Sequence, residues 1–182
     1  MDDFKNRYYE VVEGPMTAIF LRDHEKGDAE DVFEMDFDPL VQAYIGGIKT
    51  REESEGGLEF VLKNRAKFKY SLKANVHLGE AKVIGYCGMR PLQGLGPELF
   101  FGLNSKYWGK GYCRQAILLY LEKEAGSIAR IFATVHPDNL KSQNVLENVG
   151  FHFEKKIYYE PRKMDHRMFV KNKIGYGLNG NK

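Results

Sequence analysis

The sequence predicts a single α/β (α+β) domain: a mixed, mostly antiparallel sheet of about seven strands with helices flanking it. Three observations predict it. Short apolar or alternating runs of strand character recur from Thr17 to Val170. Between two of them, residues 99–103 and 130–135, lies a strongly helical stretch over 111–125, and this order implies a right-handed crossover joining a parallel pair. The 182 residues are 43% hydrophobic and 13% aromatic, which suits one substantial core and argues against disorder.

The elements follow in order. Residues 17–22 read as a strand. Asp28 predicts the cap of a short helix carrying Ala29, Val32 and Phe33, and Asp38-Pro39 opens another with Leu40, Val41 and Tyr44 on one side. Thr50 and Glu53 have capping-box spacing, whereas Gly56-Gly57 predicts weakening of any helix running on to Leu62. Residues 66–73 and 81–89 read as strands paired antiparallel, with 75–80 as the turn region. The 111–125 helix is apolar on most sides, as expected when packed on a sheet. Residues 130–135 form a β-branched and aromatic strand. Residues 139–149 form a helix with Val145, Leu146 and Val149 toward the core and Gly150 at its end. Residues 151–159 and 165–170 close the chain as a hairpin around Pro161-Arg162. No internal repeat or second domain is visible, so one domain over 1–170 is expected, followed by a frayed tail, 171–182, rich in Gly, Asn and Lys.

Lys plus Arg number 27 against 25 Asp plus Glu, a net charge of +2 without a basic block, so nucleic acid is not supported as the main partner. No apolar run approaches the ~20 residues of a membrane span, and Met1-Asp2-Asp3-Phe4 does not open a signal sequence. A cytoplasmic protein without membrane partners is the expectation, and a homodimer is compatible with it. The two cysteines, Cys87 and Cys113, have no metal-ligand spacing, so no metal is expected. Both read as apolar fillers. The alternative for Cys113 is a reactive thiolate stabilised in the first turn of a helix.

The chemistry concentrates in Lys106-Tyr107-Trp108-Gly109-Lys110-Gly111, between the 99–103 strand and the following helix. Two glycines one residue apart permit a tight turn, and the helix start offers unpartnered amides with partial positive charge. Lys106, Lys110 and Arg114 add full charges, so a ligand bearing a diphosphate fits. Spacing excludes a P-loop, because six residues lie between Gly102 and Gly109 and no hydroxyl residue follows Lys110. The dinucleotide fingerprint fits poorly, with Arg114 where Gly or Ala is needed.

The run Glu98-Leu99-Phe100-Phe101-Gly102-Leu103, then Tyr107-Trp108-Gly109-Lys110-Gly111-Tyr112, then Asn139, Ser142, Val145-Leu146 and Val149-Gly150-Phe151, resembles the GNAT superfamily of acyl-CoA-dependent N-acyltransferases. It is most similar to the subgroup that includes enzymes acetylating the N-termini (alanine or serine) of ribosomal proteins. The resemblance runs from Thr17 to Val170 and includes a strand ending Leu21-Arg22 and the Asp38-Pro39 helix start. Lys106 stands where the family usually has Arg or Gln, a small departure in a loop that binds through backbone amides.

The resemblance implies a central, splayed parallel pair with acetyl-CoA, the co-substrate, in the gap. It implies transfer of acetyl to a primary amine, on a protein N-terminus or a small molecule, by direct attack in a ternary complex. Phe101, Gly102 and Leu103 would line the pantetheine arm, an amide near Phe101 or Gly102 binding the thioester oxygen. Lys106, Trp108, Gly109, Lys110, Gly111 and Tyr112 would hold the diphosphate. Asn139 would order the cofactor or the intermediate, and Ser142 would hydrogen-bond the departing sulfur. Glu98 would accept the proton, directly or through water, with Glu154, Tyr158 and Tyr159 as the other candidates.

Each residue also has a plainer reading. Gly102 fits a bulge, Asn139 and Ser142 fit a helix cap, Glu98 a solvated edge, Trp108 a core anchor and His136 a loop histidine. Asp36, Asp38, Glu52 and Glu53 would either attract a cationic amine or form a solvated face. Neutralising a lysine (pKa about 10.4) at pH 7 costs roughly 4 to 5 kcal/mol, an α-amine near 7.7 only about 1, so an N-terminal amine asks less of its base. The contrasting possibility is a non-catalytic acyl-CoA-binding module that senses cofactor or presents a surface to a partner.

Overall fold

The computed structural model describes residues 18–64, 72–92 and 96–172. A seven-stranded sheet is its backbone, in the order β1-β2-β3-β4-β5-β7-β6. The strands are β1 (Ile19–Asp23), β2 (Leu72–His77), β3 (Lys82–Leu92), β4 (Gly96–Leu103), β5 (Arg130–Val135), β6 (His152–Tyr159) and β7 (Met164–Asn172). Neighbours pair antiparallel except β4 and β5, which run parallel and meet in register only at Glu98 and Phe132. Beyond that position β4 has no ladder partner on its β5 side.

Helices α1 (Ala29–Asp36), α2 (Pro39–Gln42) and α3 (Arg51–Asn64) lie between β1 and β2, α4 (Tyr112–Lys123) between β4 and β5, and α5 (Leu140–Asn148) between β5 and β6. Ile117 and Tyr120 of α4 and Leu146 of α5 pack with Ile84, Leu99, Leu103 and Phe169 of the sheet in the main hydrophobic core. This puts α4 and α5 on one face, with their first turns beside the end of β4.

The caps act as their spacing predicts. Asp38 accepts from the Leu40 amide at 2.9 Å, while Thr50 and Glu53 exchange hydrogen bonds of 2.8 and 3.2 Å. α3 runs through Gly56-Gly57, against the expected weakening, because Ser54 and Leu58 bury one side of it. Asp28 precedes α1 without capping it. It is buried instead, held bidentately by Arg22 at 2.6 and 2.9 Å and by the Glu25 amide at 2.9 Å.

Two sequence expectations shift. Asn75, Val76 and His77 belong to β2, with a bulge between Asn75 and Val76, and the turn to β3 occupies 78–81. Strand β7 extends through Lys171 and Asn172, where Lys171 Nζ donates to the Val149 carbonyl at 2.8 Å. The rest of the expected tail, and residues 66–71 of the expected second strand, lie outside the described residues.

Candidate active site

Phe101, Gly102 and Leu103 end β4 opposite Cys87, Tyr86 and Gly85 in an unbroken register, so Gly102 marks no bulge. The glycine is required by close approach: a Cβ there would lie 2.6 Å from the Tyr86 ring, which stacks on Phe100 with centroids 5.2 Å apart. The Leu103 side chain is buried in the core. The Leu103 carbonyl accepts from Trp108 Nε1 at 2.8 Å.

After β4 the chain makes one 3-10 turn, Ser105–Tyr107, fixed by Asn104, whose Oδ1 accepts from the Lys106 amide at 3.1 Å. The amides of Tyr107 and Trp108 donate to Asn104 and Ser105 carbonyls, so the first three amides of the expected phosphate loop are already used. Those from Gly109 through Arg114 donate to nothing among the described residues, and the first bond of α4 is Gln115 N–H to the Gly111 carbonyl, 3.0 Å. Six successive open amides end at a helix N-terminus, an arrangement that suits an anion. Gly109 and Gly111 have φ of +78° and +80°, which L side chains rarely adopt, though no atom stands within 4 Å of a Cβ at either.

The side chains around the loop are divided. Lys110 is exposed, its Nζ 5.4 Å from the Tyr107 ring centroid. Lys106 pairs with Glu34, which also accepts from Lys82, and these bonds hold the Glu34 carboxyl below the usual range. The Tyr112 hydroxyl lies 3.3 Å from His77 Nε2. Tyr107 donates to Glu80 at 2.6 Å; that bond first, then burial, pushes its hydroxyl up to about 12. Cys113 packs against the core as an apolar filler, and desolvation pushes its thiol up to about 12, against the alternative of a reactive thiolate.

Asn139 caps α5, its Oδ1 accepting from the Ser142 amide at 3.1 Å; its Nδ2 has no partner among the described residues. Ser142 is half-buried with an unengaged hydroxyl. Lys141 Nζ lies 4.1 Å from the Trp108 ring centroid, so the first turn of α5 adjoins the loop.

Glu98 lies on the face away from α4 and α5 and is 1% exposed, not a solvated edge residue. Its Oε2 accepts from Arg90 Nε at 2.6 Å and its Oε1 from the Thr134 hydroxyl. Arg90 Nη2 also donates to the Tyr159 hydroxyl at 3.0 Å. Of the other proton-acceptor candidates, Glu154 is engaged by Arg130 and Tyr158 is 60% exposed. Only Tyr159 joins the network. Sequence reasoning missed Arg90 and Thr134; an arginine inside the apolar run of β3 was the available signal.

The early acids serve the fold. Asp36 is buried and accepts from Lys49 at 2.8 Å, Ser54 at 2.9 Å and Gln42 at 3.2 Å, joining α1 to α2 and α3. Asp38 accepts from Ser105 as well as capping α2, and Glu53 belongs to the α3 cap. Glu52 is exposed. Among the described residues, no group of His, Cys, Asp and Glu could hold a metal, and no helix is long and apolar enough to cross a membrane.

Residues 18–152 match a family model described as an acetyltransferase (GNAT) domain. An uncharacterized N-acetyltransferase of Bacillus subtilis, YnaD, is 31% identical over 145 residues, 75% of this chain and 80% of that protein. A GNAT-family acetyltransferase from Bacillus anthracis superposes with a TM-score of 0.70 at 28% identity, covering 85% of this chain and 95% of that one. RimL, a ribosomal L7/L12 α-N-protein acetyltransferase solved with coenzyme A, shares the fold with a TM-score of 0.71 at 14% identity, over 87% of this chain and 96% of that one.

Proposed function

Because the chain belongs to the GNAT acetyltransferase family, we propose that it transfers the acetyl group of acetyl-CoA to a primary amine, by direct attack with both substrates bound. The observation that carries this reading is the run of six open amides from Gly109 through Arg114 beside the gap between β4 and β5. Acetyl-CoA supplies an acyl group activated as a thioester, and the residues around the gap fit it. The amides, with Lys110 and Arg114, hold the diphosphate, and Trp108 flanks it. The backbone of Phe101, Gly102 and Leu103 lines the pantetheine arm, and one of these amides donates to the carbonyl oxygen as charge develops.

Ser142, with its free hydroxyl, donates to the sulfur as it leaves, and Asn139 Nδ2 orients the same end of the cleft. Glu98 sets the electrostatics of the acceptor side. Its carboxylate, fixed by Arg90 and Thr134, favours a cationic amine there without direct contact. The acceptor is a protein N-terminus or a small amine, and the low cost of neutralising an α-amine favours the former.

The test is thiol release from acetyl-CoA with a panel of alanine- and serine-initiated peptides and small primary amines. Turnover on at least one acceptor is expected. Coenzyme binding without turnover on any would point to the non-catalytic module instead.

A further inference from the structure

One polar group on the acceptor face has no partner and no role so far. His166, on β7, is 4% exposed, and neither of its ring nitrogens has a hydrogen bond. Buried polar atoms left this way are rare in folded proteins, and each marks a position for a water molecule or a ligand group.

The ring stacks on Tyr159, with centroids 4.5 Å apart, and meets His136 edge-on at 5.8 Å. Tyr159 ties it to Arg90 and so to Glu98. His136 follows β5, two residues beyond the Thr134 that binds Glu98. It is half-buried and packs against Tyr44, with centroids 5.0 Å apart. Its Nδ1 accepts from the Asp138 amide at 3.1 Å, so the neutral ring carries its proton on Nε2.

The groups acting on His166 come from every neighbouring element: His136 after β5, with Asp138 beside it; Tyr159 at the end of β6; Arg162 in the turn before β7; Glu98 on β4, paired with Arg90 on β3. Burial first, then the electrostatic influence of His136 and Arg162, holds His166 below its ordinary pKa, with Glu98 opposing. At neutral pH the ring is uncharged and has a lone pair to offer.

We propose that His166 is the proton acceptor of acetyl transfer, taking the proton of the acceptor amine through a water held on its open nitrogen and returning it to solvent, with His136 packed edge-on to hold the ring in place. This rests on the acetyl-transfer reading above. An ammonium acceptor gives one proton to the imidazole and thereby frees its lone pair. The new C–N bond forms at the acetyl carbonyl carbon as the C–S bond breaks, and the second amine proton ends on the departing sulfur as the free thiol. The imidazolium then returns to neutral. Glu98 is less suited to this step, because both its oxygens are engaged and it is buried beneath its partners.

The experiment compares wild type with His166→Gln and His136→Gln on the same panel of alanine- and serine-initiated peptides and small primary amines, from pH 6 to 9. For His166→Gln, kcat/KM should fall about 10²-fold or more near pH 6 to 7, with acetyl-CoA affinity unchanged. The deficit should shrink toward pH 9, where an α-amine of pKa about 7.7–8.0 is already neutral. His136→Gln should show a smaller loss with the same pH dependence, and it carries the test should His166→Gln fail to fold. Rates equal to wild type, or a loss constant across the pH range, would overturn the proposal while leaving acetyl transfer intact. A wild type that acetylates none of the panel would overturn the functional reading and this inference with it.

Discussion

Arg90 Nε lies 2.6 Å from Glu98 Oε2, and the carboxylate it holds is 1% exposed. Thr134 donates to the other oxygen, so one side chain joins β3, β4 and β5 at the one place where the parallel strands are in register. Arg90→Ala leaves that charge buried and unpaired and should destabilise by about 3–5 kcal/mol. The double replacement Arg90→Met with Glu98→Leu should recover most of the loss, yet remain impaired in acetyl transfer. Urea denaturation of the two variants checks the first part, and thiol release the second.

Gly109 and Gly111 adopt left-handed φ with open space around them, so replacing them tests the amides rather than the packing. Gly109→Val with Gly111→Val should cost about 1–2 kcal/mol of stability per site. Coenzyme A affinity should fall about tenfold or more, equivalent to about 1.4 kcal/mol. Calorimetry at two salt concentrations measures this, and the wild-type affinity should itself weaken with salt.

Ser142→Ala removes a hydroxyl with no structural partner and should leave stability within about 0.5 kcal/mol of wild type. Its kcat should fall with little change in acetyl-CoA affinity. Asn139→Ala should show the loss in kcat and also a destabilisation of about 1 kcal/mol, because the α5 cap goes with it. Steady-state kinetics beside thermal unfolding separates the two variants.

Burial alone would raise the Asp28 pKa. The hydrogen bonds from Arg22 and the Glu25 amide, with His24 Nδ1 3.4 Å away, outweigh it and hold the carboxyl well below the ordinary carboxylate range. The stabilisation is therefore present above the unfolded pKa of about 3.9 and is lost as pH falls below it. Asp28→Asn should be about 3 kcal/mol less stable than wild type at pH 7. Unfolding curves at descending pH should converge below about pH 4.

Burial pushes up the thiols of Cys87 and Cys113, the latter to about 12. Both should resist iodoacetamide at pH 8 in the folded protein and react readily in urea, as followed by mass spectrometry.

Elements fixed by local chemistry were the ones legible in the sequence. The β-branched run of β5 was bounded correctly at both ends, and the Thr50–Glu53 box and the Asn139 cap form as spacing implies. Asn75 reads as a turn residue by propensity, yet its strand position is set by pairing with Leu21 and Gly85, which no local signal carries. The left-handed loop glycines and the open helix start were readable because that loop is contiguous. The cluster around Glu98 was not. Arg90, Glu98, Thr134, Tyr159 and His166 come from five strands, and only the sheet register brings them together. Nothing in one sequence announces that the Glu98 carboxylate is enclosed.

The lone shared rung between β4 and β5 divides the sheet into two panels, β1 to β4 and β5 to β7. On the proposed reading, a rod-shaped guest lying along that seam would supply the missing crosspieces and stitch the panels together. Resistance to heat should then rise with the supply of that guest, growing with the logarithm of concentration once the seam is filled.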